Sequence, residues 1–264
     1  MIMPHCEQRI RGKDSRKALL IIRGFLSTGP RARSRDQDWT RSIERSDWQG
    51  DVWQLHWDAS ESAAILARML QAMVRFRGDW RLIATSTLAA ALHHWITVRR
   101  RAEEIGRRYF GTVICQTFCE TQVTIVAHSA GARLAFYGLR GTDLSPWVRD
   151  VVFLGAAVSR GHGRDWGAVV SHIQGNLINV YNPYDWVLCV LYRLAQLTAR
   201  DACGRAPVLL ADPRIINWNA ASIVGKALSN HENYLTVLPT ILANIEHHTG
   251  DFSDFTVDTL PELC

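Results

Sequence analysis

The sequence predicts an α/β fold in which a mostly parallel sheet is covered by helices on both faces. Three observations point there. Short runs rich in Val, Ile and Leu recur at 18–22, 51–57, 122–127, 150–156 and 176–181. Several are apolar without alternation, as in strands buried on both faces. Stretches with helical spacing lie between them, the pattern of βαβ units.

Taken in order, residues 1–17 are polar and basic and read as a loose lead-in. The 18–22 strand runs into Arg23-Gly24-Phe25-Leu26-Ser27-Thr28-Gly29-Pro30, a loop by its Gly and Pro content. That loop is expected to continue through Arg31, Arg33 and Arg35 to Trp39. Residues 51–57 form the second strand. From 61 to 110 the pattern is helical: Ile65, Met69 and Met73 recur at i, i+4, as do Leu88, Leu92 and Ile96. So long an insertion predicts extra helices and a lid over part of the site mouth, although such stripes are more often core. The third strand, 122–127, is followed by a helix over 130–140. The fourth and fifth strands follow at 150–156 and 176–181, with a helix over 186–197. Residues 207–210 and 215–218 read as short strands, and 232–247 as the last helix. The whole, 1–264, reads as a single domain.

The composition narrows the function. The chain is 47% apolar, enough for a sizeable core, with net charge +5 and pI about 9.0. The positive charge is nearly all arginine, since Lys occurs only at 13, 17 and 226. No nucleic-acid motif accompanies it, so no nucleic-acid partner is expected. The six cysteines show no paired CxxC spacing and read as free, mostly buried thiols of a reducing compartment. The N-terminal residues are polar, without an apolar signal core, and the longest apolar run, 82–98, is broken by Thr, Ser and His. Together these features predict a cytoplasmic protein.

One stretch carries chemistry. Gln122-Val-Thr-Ile-Val-Ala-His-Ser129-Ala-Gly-Ala-Arg133 is a strand, a tight turn and a helix start. It matches the G-x-S-x-G nucleophile elbow with Ala127 in the first Gly place. A sharp turn crowds the residues two before and two after the serine, and Ala127 and Gly131 are small. The plainer reading is a buried strand and a serine N-cap.

The partners come in α/β-hydrolase order, Ser then Asp then His. Asp185 follows the fifth strand, and His231 precedes the last helix. A serine hydroxyl needs a base to take its proton, imidazole can do so near neutral pH, and a carboxylate orients the imidazole. The oxyanion donors are expected at the backbone N–H groups of Ala130 and Phe25. Phe25 and Leu26 then line the substrate pocket. Each assignment has a bland alternative: Asp185 as a helix N-cap, His231 as a surface histidine. His162, His172, His247 and His248 are rival bases, and Asp165 and Asp212 rival acids. His128 reads as structural.

The fold class is therefore an α/β-hydrolase fold with a helical insertion at 61–110. The expected function is a serine esterase or lipase-like hydrolase acting on a small-molecule ester or lipid. No cofactor or metal is implied. The alternative is a catalytically silent hydrolase-fold adaptor that binds a protein or membrane surface. Arg31, Arg33 and Arg35 are candidates for an anionic group on the substrate or on an anionic membrane surface. Asp36, Asp38 and Glu44 could instead simply neutralise that run.

At this point the chain resembles the DUF726 family of α/β-hydrolase-like proteins. The resemblance lies in 21–27 (Ile-Ile-Arg-Gly-Phe-Leu-Ser), 126–137 (Val-Ala-His-Ser-Ala-Gly-Ala-Arg-Leu-Ala-Phe-Tyr), 179–193 (with Asn-Pro-Tyr-Asp-Trp-Val-Leu) and 231–234 (His-Glu-Asn-Tyr). It implies the same nucleophile, acid and base: Ser129, Asp185 and His231. Ala127 and Asn230 stand where the family usually has Gly, and the membrane segments of eukaryotic members have no clear counterpart.

Overall fold

The computed structural model describes residues 3–24, 32–58, 85–161, 165–192, 201–227 and 230–247. Seven strands among them form one sheet: β1 (His5–Ile10), β2 (Asp14–Ile22), β3 (Gly50–His56), β4 (Gln122–His128), β5 (Val148–Leu154), β6 (Leu177–Tyr181) and β7 (Ile215–Asn219). Their order is β1-β3-β2-β4-β5-β6-β7. Only β1 runs antiparallel, against β3; the other pairings are parallel.

The continuous apolar runs have a clear cause. In β2, Ala18, Leu20 and Ile22 enter one core while Leu19 and Ile21 enter the other. β4 divides likewise, with Val123, Ile125 and Ala127 on one face and Val126 on the other. Each face is roofed by helices, so neither set of side chains meets water.

On one face lie α2 (Thr85–Ile105), a π-helical turn (Gly106–Phe110), α3 (Gly111–Thr117), α4 (Ala130–Gly141) and α5 (Trp166–Ser171). Trp95, Val98, Ala102 and Ile105 are the inward stripe of α2 and are buried against the sheet-facing core. On the other face lie α1 (Ala32–Glu44), a 3-10 turn (Asn230–Thr236) and α7 (Leu238–Glu246), with the short α6 (Ala221–Val224) nearby. Trp39 and Ile43 of α1 bury there, and Ser42 donates its hydroxyl to the Leu235 carbonyl at 2.8 Å. A second π-helical turn spans Leu188–Tyr192.

Several expectations change. The lead-in contains an edge strand, β1, and β2 begins at Asp14. Most of β1 is exposed, with Glu7 and Arg9 charged, as edge strands often are, and its polarity hid it. The arginine stretch is not all loop: Arg33 and Arg35 lie in α1. Residues 207–210 form no strand. Of the insertion at 61–110, expected to form a lid, residues 61–84 lie outside the described residues, and from Leu92 to Phe110 the helical layer packs on the core. Among the described cysteines only Cys203 is buried, while Cys6, Cys115 and Cys189 are half-buried and Cys119 is exposed.

Candidate active site

β4 is the fourth strand in order, at the centre of the sheet, and Ser129 is its first residue beyond the carboxyl end. The turn is sharp. Ser129 has φ 55° and ψ −118°, and it is the one non-glycine with positive φ among the described residues. Its N–H donates to the Leu154 carbonyl at 3.0 Å, and its own carbonyl accepts from Ala157 N–H at 3.1 Å. These bonds clamp the turn to the end of β5.

The need for small residues comes from the end of β2. A side chain on Gly131 would collide with the backbone carbonyls of Ile22 and Arg23. One on Gly24 would come within 2.7 Å of the His128 carbonyl and 2.8 Å of the Ser129 Cβ. The chain leaving β2 therefore passes directly beside Ser129 and the Ala130 N–H. Ala130 opens α4, so its N–H has no carbonyl partner within the helix. Phe25, Leu26 and Arg31 lie outside the described residues, as do the side chains of Arg33 and Arg35.

Ser129, His231 and Asp185 meet from three separate elements. His231 Nε2 is 2.9 Å from Ser129 Oγ, and His231 Nδ1 is 2.7 Å from Asp185 Oδ2. With Asp185 ionised, Nδ1 carries the proton and donates, leaving Nε2 to accept from the serine hydroxyl. Asp185 is fully buried and divides its oxygens. Oδ1 accepts the Leu188 N–H at 3.0 Å, which is a capping bond, while Oδ2 faces the imidazole. One side chain thus caps the following turn and contacts His231.

A second layer of contacts fixes these groups. Tyr234, three residues beyond His231, points its hydroxyl at Asp185 Oδ2 (3.3 Å) and the Gly204 carbonyl (3.2 Å). Asn230 donates to the Tyr184 carbonyl at 2.7 Å and the Gly225 carbonyl at 3.2 Å. Asn182 holds the same corner, donating to Gly225 at 2.8 Å and accepting from Tyr184 N–H at 3.0 Å. His128 donates Nε2–H to the His231 carbonyl at 2.9 Å, and the two rings lie 4.9 Å apart. His128 is a strut for the turn that carries His231, in keeping with its structural reading. Burial pulls the His231 imidazolium down, but the charge and hydrogen bond of Asp185 outweigh it, so its pKa ends above the ordinary histidine value. Burial and the neighbouring His231 push His128 down to about 4. Burial, then the Asp185 charge, drives the Tyr234 phenol well above its usual range.

The described rivals are occupied elsewhere. His172 bonds the Leu139 carbonyl, His247 pairs with Asp47, Asp165 with Arg140 and Asp212 with Arg214. His162 and His248 lie outside the described residues. Tyr234 and Asn230 stood in the sequence as members of a motif without a role; their contacts supply one. Among the described residues no group of acidic, His or Cys side chains is arranged to hold a metal ion.

A parallel sheet of this order, with one antiparallel edge strand and a sharp strand-to-helix turn at its centre, is an α/β-hydrolase fold. The chain belongs to the DUF726 family, described as proteins of unknown function, which it matches over residues 47–248. It is 26% identical over 189 residues to an uncharacterized membrane protein of Caenorhabditis elegans, covering 70% of this chain and 30% of that protein. It is 30% identical over 160 residues to the transmembrane and coiled-coil domain-containing protein STS1 of Oryza sativa, covering 59% of this chain and 23% of that protein. The chain thus spans less than a third of the length of these relatives. Among solved structures it is similar to a dienelactone hydrolase from Anabaena variabilis (TM-score 0.37, 12% identity, 97% of this chain and 100% of that one). It is also similar to YbtT, the type II thioesterase of a yersiniabactin pathway (TM-score 0.39, 11% identity, 95% and 99%).

The expectation of a cytoplasmic protein does not stand, because the relatives are named as membrane proteins. No described helix is long and apolar enough to cross a membrane. That hydropathy, on which the expectation rested, concerns a region matching under a third of each relative.

Proposed function

We propose that the protein is a serine hydrolase that cleaves esters of acyl or lipid type. The observation that carries this reading is the unbroken line from Asp185 through His231 to Ser129, with contacts of 2.7 and 2.9 Å. In this reading Ser129 Oγ attacks the ester carbonyl as His231 Nε2 takes its proton. The carbonyl oxygen becomes an oxyanion held by the Ala130 N–H and by a second donor from the loop after β2, at Phe25. His231 then gives its proton to the leaving alcohol, and an acyl-Ser129 ester remains. Water, activated by the same imidazole, releases the acid and restores the serine. Asp185 stays ionised throughout and stabilises the imidazolium that forms in each half. The elbow supports the reading too: the strained turn lifts Oγ off the helix axis, toward the end of the sheet where substrates bind.

The test is labelling with a fluorophosphonate probe, followed by peptide mass mapping. The expected result is a single covalent adduct on Ser129, abolished in Ser129→Ala, together with turnover of an activated ester. A protein that takes no label and cleaves no ester, while retaining its folded far-UV spectrum, would instead be a silent member of the fold.

A further inference from the structure

Among the described residues, several buried polar atoms make no hydrogen bond, and three of them, all donors, belong to Trp95, Arg99 and Tyr192. Trp95 and Arg99 sit one turn apart on α2, and Tyr192 ends the π-helical turn that begins three residues after Asp185. The indole N–H of Trp95, the Nε–H of Arg99 and the Tyr192 hydroxyl are buried, and none makes a hydrogen bond. The Ser159 hydroxyl is close enough to favour the Tyr192 phenolate, yet no hydrogen bond of ordinary geometry joins them. The Arg99 guanidinium lies 6.0 Å from the centre of the Tyr192 ring. A buried donor left unpaired costs on the order of 1–3 kcal/mol, so three on neighbouring side chains call for an explanation.

The charge pattern gives the missing partner its sign. Arg133, one turn along α4 from Ser129, is buried and matched: it donates to Glu103 Oε1 through Nε and its NH2 group, and to the Ala157 carbonyl at 2.9 Å. The other described carboxylates around α2 are engaged as well, Glu104 with Arg108 and Asp58 with Arg101. Arg99 forms no ion pair among the described residues. Burial, reinforced by the Arg133 charge and only partly offset by Tyr192 and Glu103, lowers its pKa to about 10. An acceptor that carries negative charge suits such donors, and guanidinium matches carboxylate and phosphate geometry. Arg133, whose charge acts on both Arg99 and Tyr192, connects the place to Ser129: it donates to the Ala157 carbonyl, and the Ala157 N–H donates to the Ser129 carbonyl.

We propose that Arg99, Trp95 and Tyr192 form a subsite for an oxyanion, a phosphate or carboxylate, borne by the ester substrate. The substrate part of this proposal rests on the hydrolase reading; the anion site itself does not.

Calorimetric titration of the full chain with inorganic phosphate and with glutarate, against chloride at equal ionic strength, tests the site without any turnover. Saturable binding of either anion is expected. Trp95→Phe keeps the ring and removes only the N–H, and it should weaken binding roughly tenfold. Arg99→Gln should weaken it further, while Arg108→Gln, on an exposed arginine, should not change it. Absence of saturable binding, or equal affinity in wild type, Trp95→Phe and Arg99→Gln, overturns the subsite. Trp95→Phe decides the matter should Arg99→Gln fail to fold.

A second arm compares a neutral p-nitrophenyl butyrate with the mono-anionic p-nitrophenyl ester of glutarate. The expected result is a preference in kcat/KM of at least about tenfold for the anionic ester, reduced in Trp95→Phe. Anion binding without that preference overturns the assignment to substrate and leaves a site for a free anion. Anion binding with no ester cleaved at all removes the hydrolase reading and keeps the site. Ester cleavage with no anion binding removes the site and keeps the reading.

Discussion

Two imidazoles lie 4.9 Å apart and behave in opposite ways. His231 faces the ionised Asp185, and its proton affinity rises. His128 faces a backbone carbonyl and another imidazole, and burial lowers its pKa to about 4. Neither ring is exposed, so burial does not separate them. What separates them is the nearest partner: a full negative charge repays the desolvation of an imidazolium, and a neutral carbonyl does not. The stability signs follow. The raised His231 contributes stability below the ordinary histidine pKa, lost as pH rises through its folded value. The depressed His128 contributes stability above pH 6.5, lost as pH falls from there toward 4.

The sharpest way to break this contrast is to remove each ring in turn. If His231 is the base and His128 the strut, His231→Ala should lower kcat by about 10⁶, as loss of a triad member does elsewhere. His128→Gln, which can still donate to the His231 carbonyl, should lower it no more than about a hundredfold, since it touches only the backbone beneath the base. Comparable losses in the two variants, measured on one activated ester, would dissolve the distinction.

Next in size is the carboxylate. Asp185→Asn should lower kcat by about 10⁴, because the wrong imidazole tautomer then faces the serine. It also removes the cause of the raised His231 pKa. In wild type the acidic limb of kcat/KM, which reports the free protein's base, should therefore lie above the ordinary histidine value. In Asp185→Asn it should move down. A wild-type limb below pH 6 would contradict the electrostatics described here.

The third test concerns folding alone. Denaturant titrations of wild type at pH 7, 6, 5 and 4 should show stability falling, by at most about 1.4 kcal/mol per pH unit from this one group. His128→Gln should flatten that slope, since glutamine cannot be protonated. An unchanged slope would mean that His128 titrates alike in the folded and unfolded states. The smallest effect is expected from Tyr234→Phe, which removes a hydroxyl near Asp185 and Gly204. A loss of about 1 kcal/mol in stability and less than about tenfold in rate is expected.

These contrasts also show what a sequence reveals. Parallel strands buried on both faces are written as unbroken apolar runs, so β2, β4, β5 and β6 could be read directly. The elbow could be read because its spacing is local. β1 could not, because an exposed edge strand needs few apolar residues, and neither could α1, whose buried Trp39 and Ile43 stand among many charges. That Ser129, Asp185 and His231 meet could be expected from the elbow spacing and the chain order, whereas the link between Arg133 and Glu103 could not. It joins residues 30 positions apart through helix packing, and nothing in either local sequence announces it. The two π-helical turns among the described residues are equally silent, since each shifts the helical spacing by a single position.

The turn at Ser129 has a further implication for how such a chain changes over time. A side chain at φ 55° is a standing handicap of roughly 1–2 kcal/mol that glycine would not carry. Ser129→Gly should accordingly be about 1 kcal/mol more stable than Ser129→Ala, although both lack the hydroxyl. Random substitution in a molecule relieved of chemistry would drift toward glycine at this corner. Asp185 would drift more slowly, because its Oδ1 also caps the turn at Leu188. Position 129 is thus where such drift would leave its earliest trace.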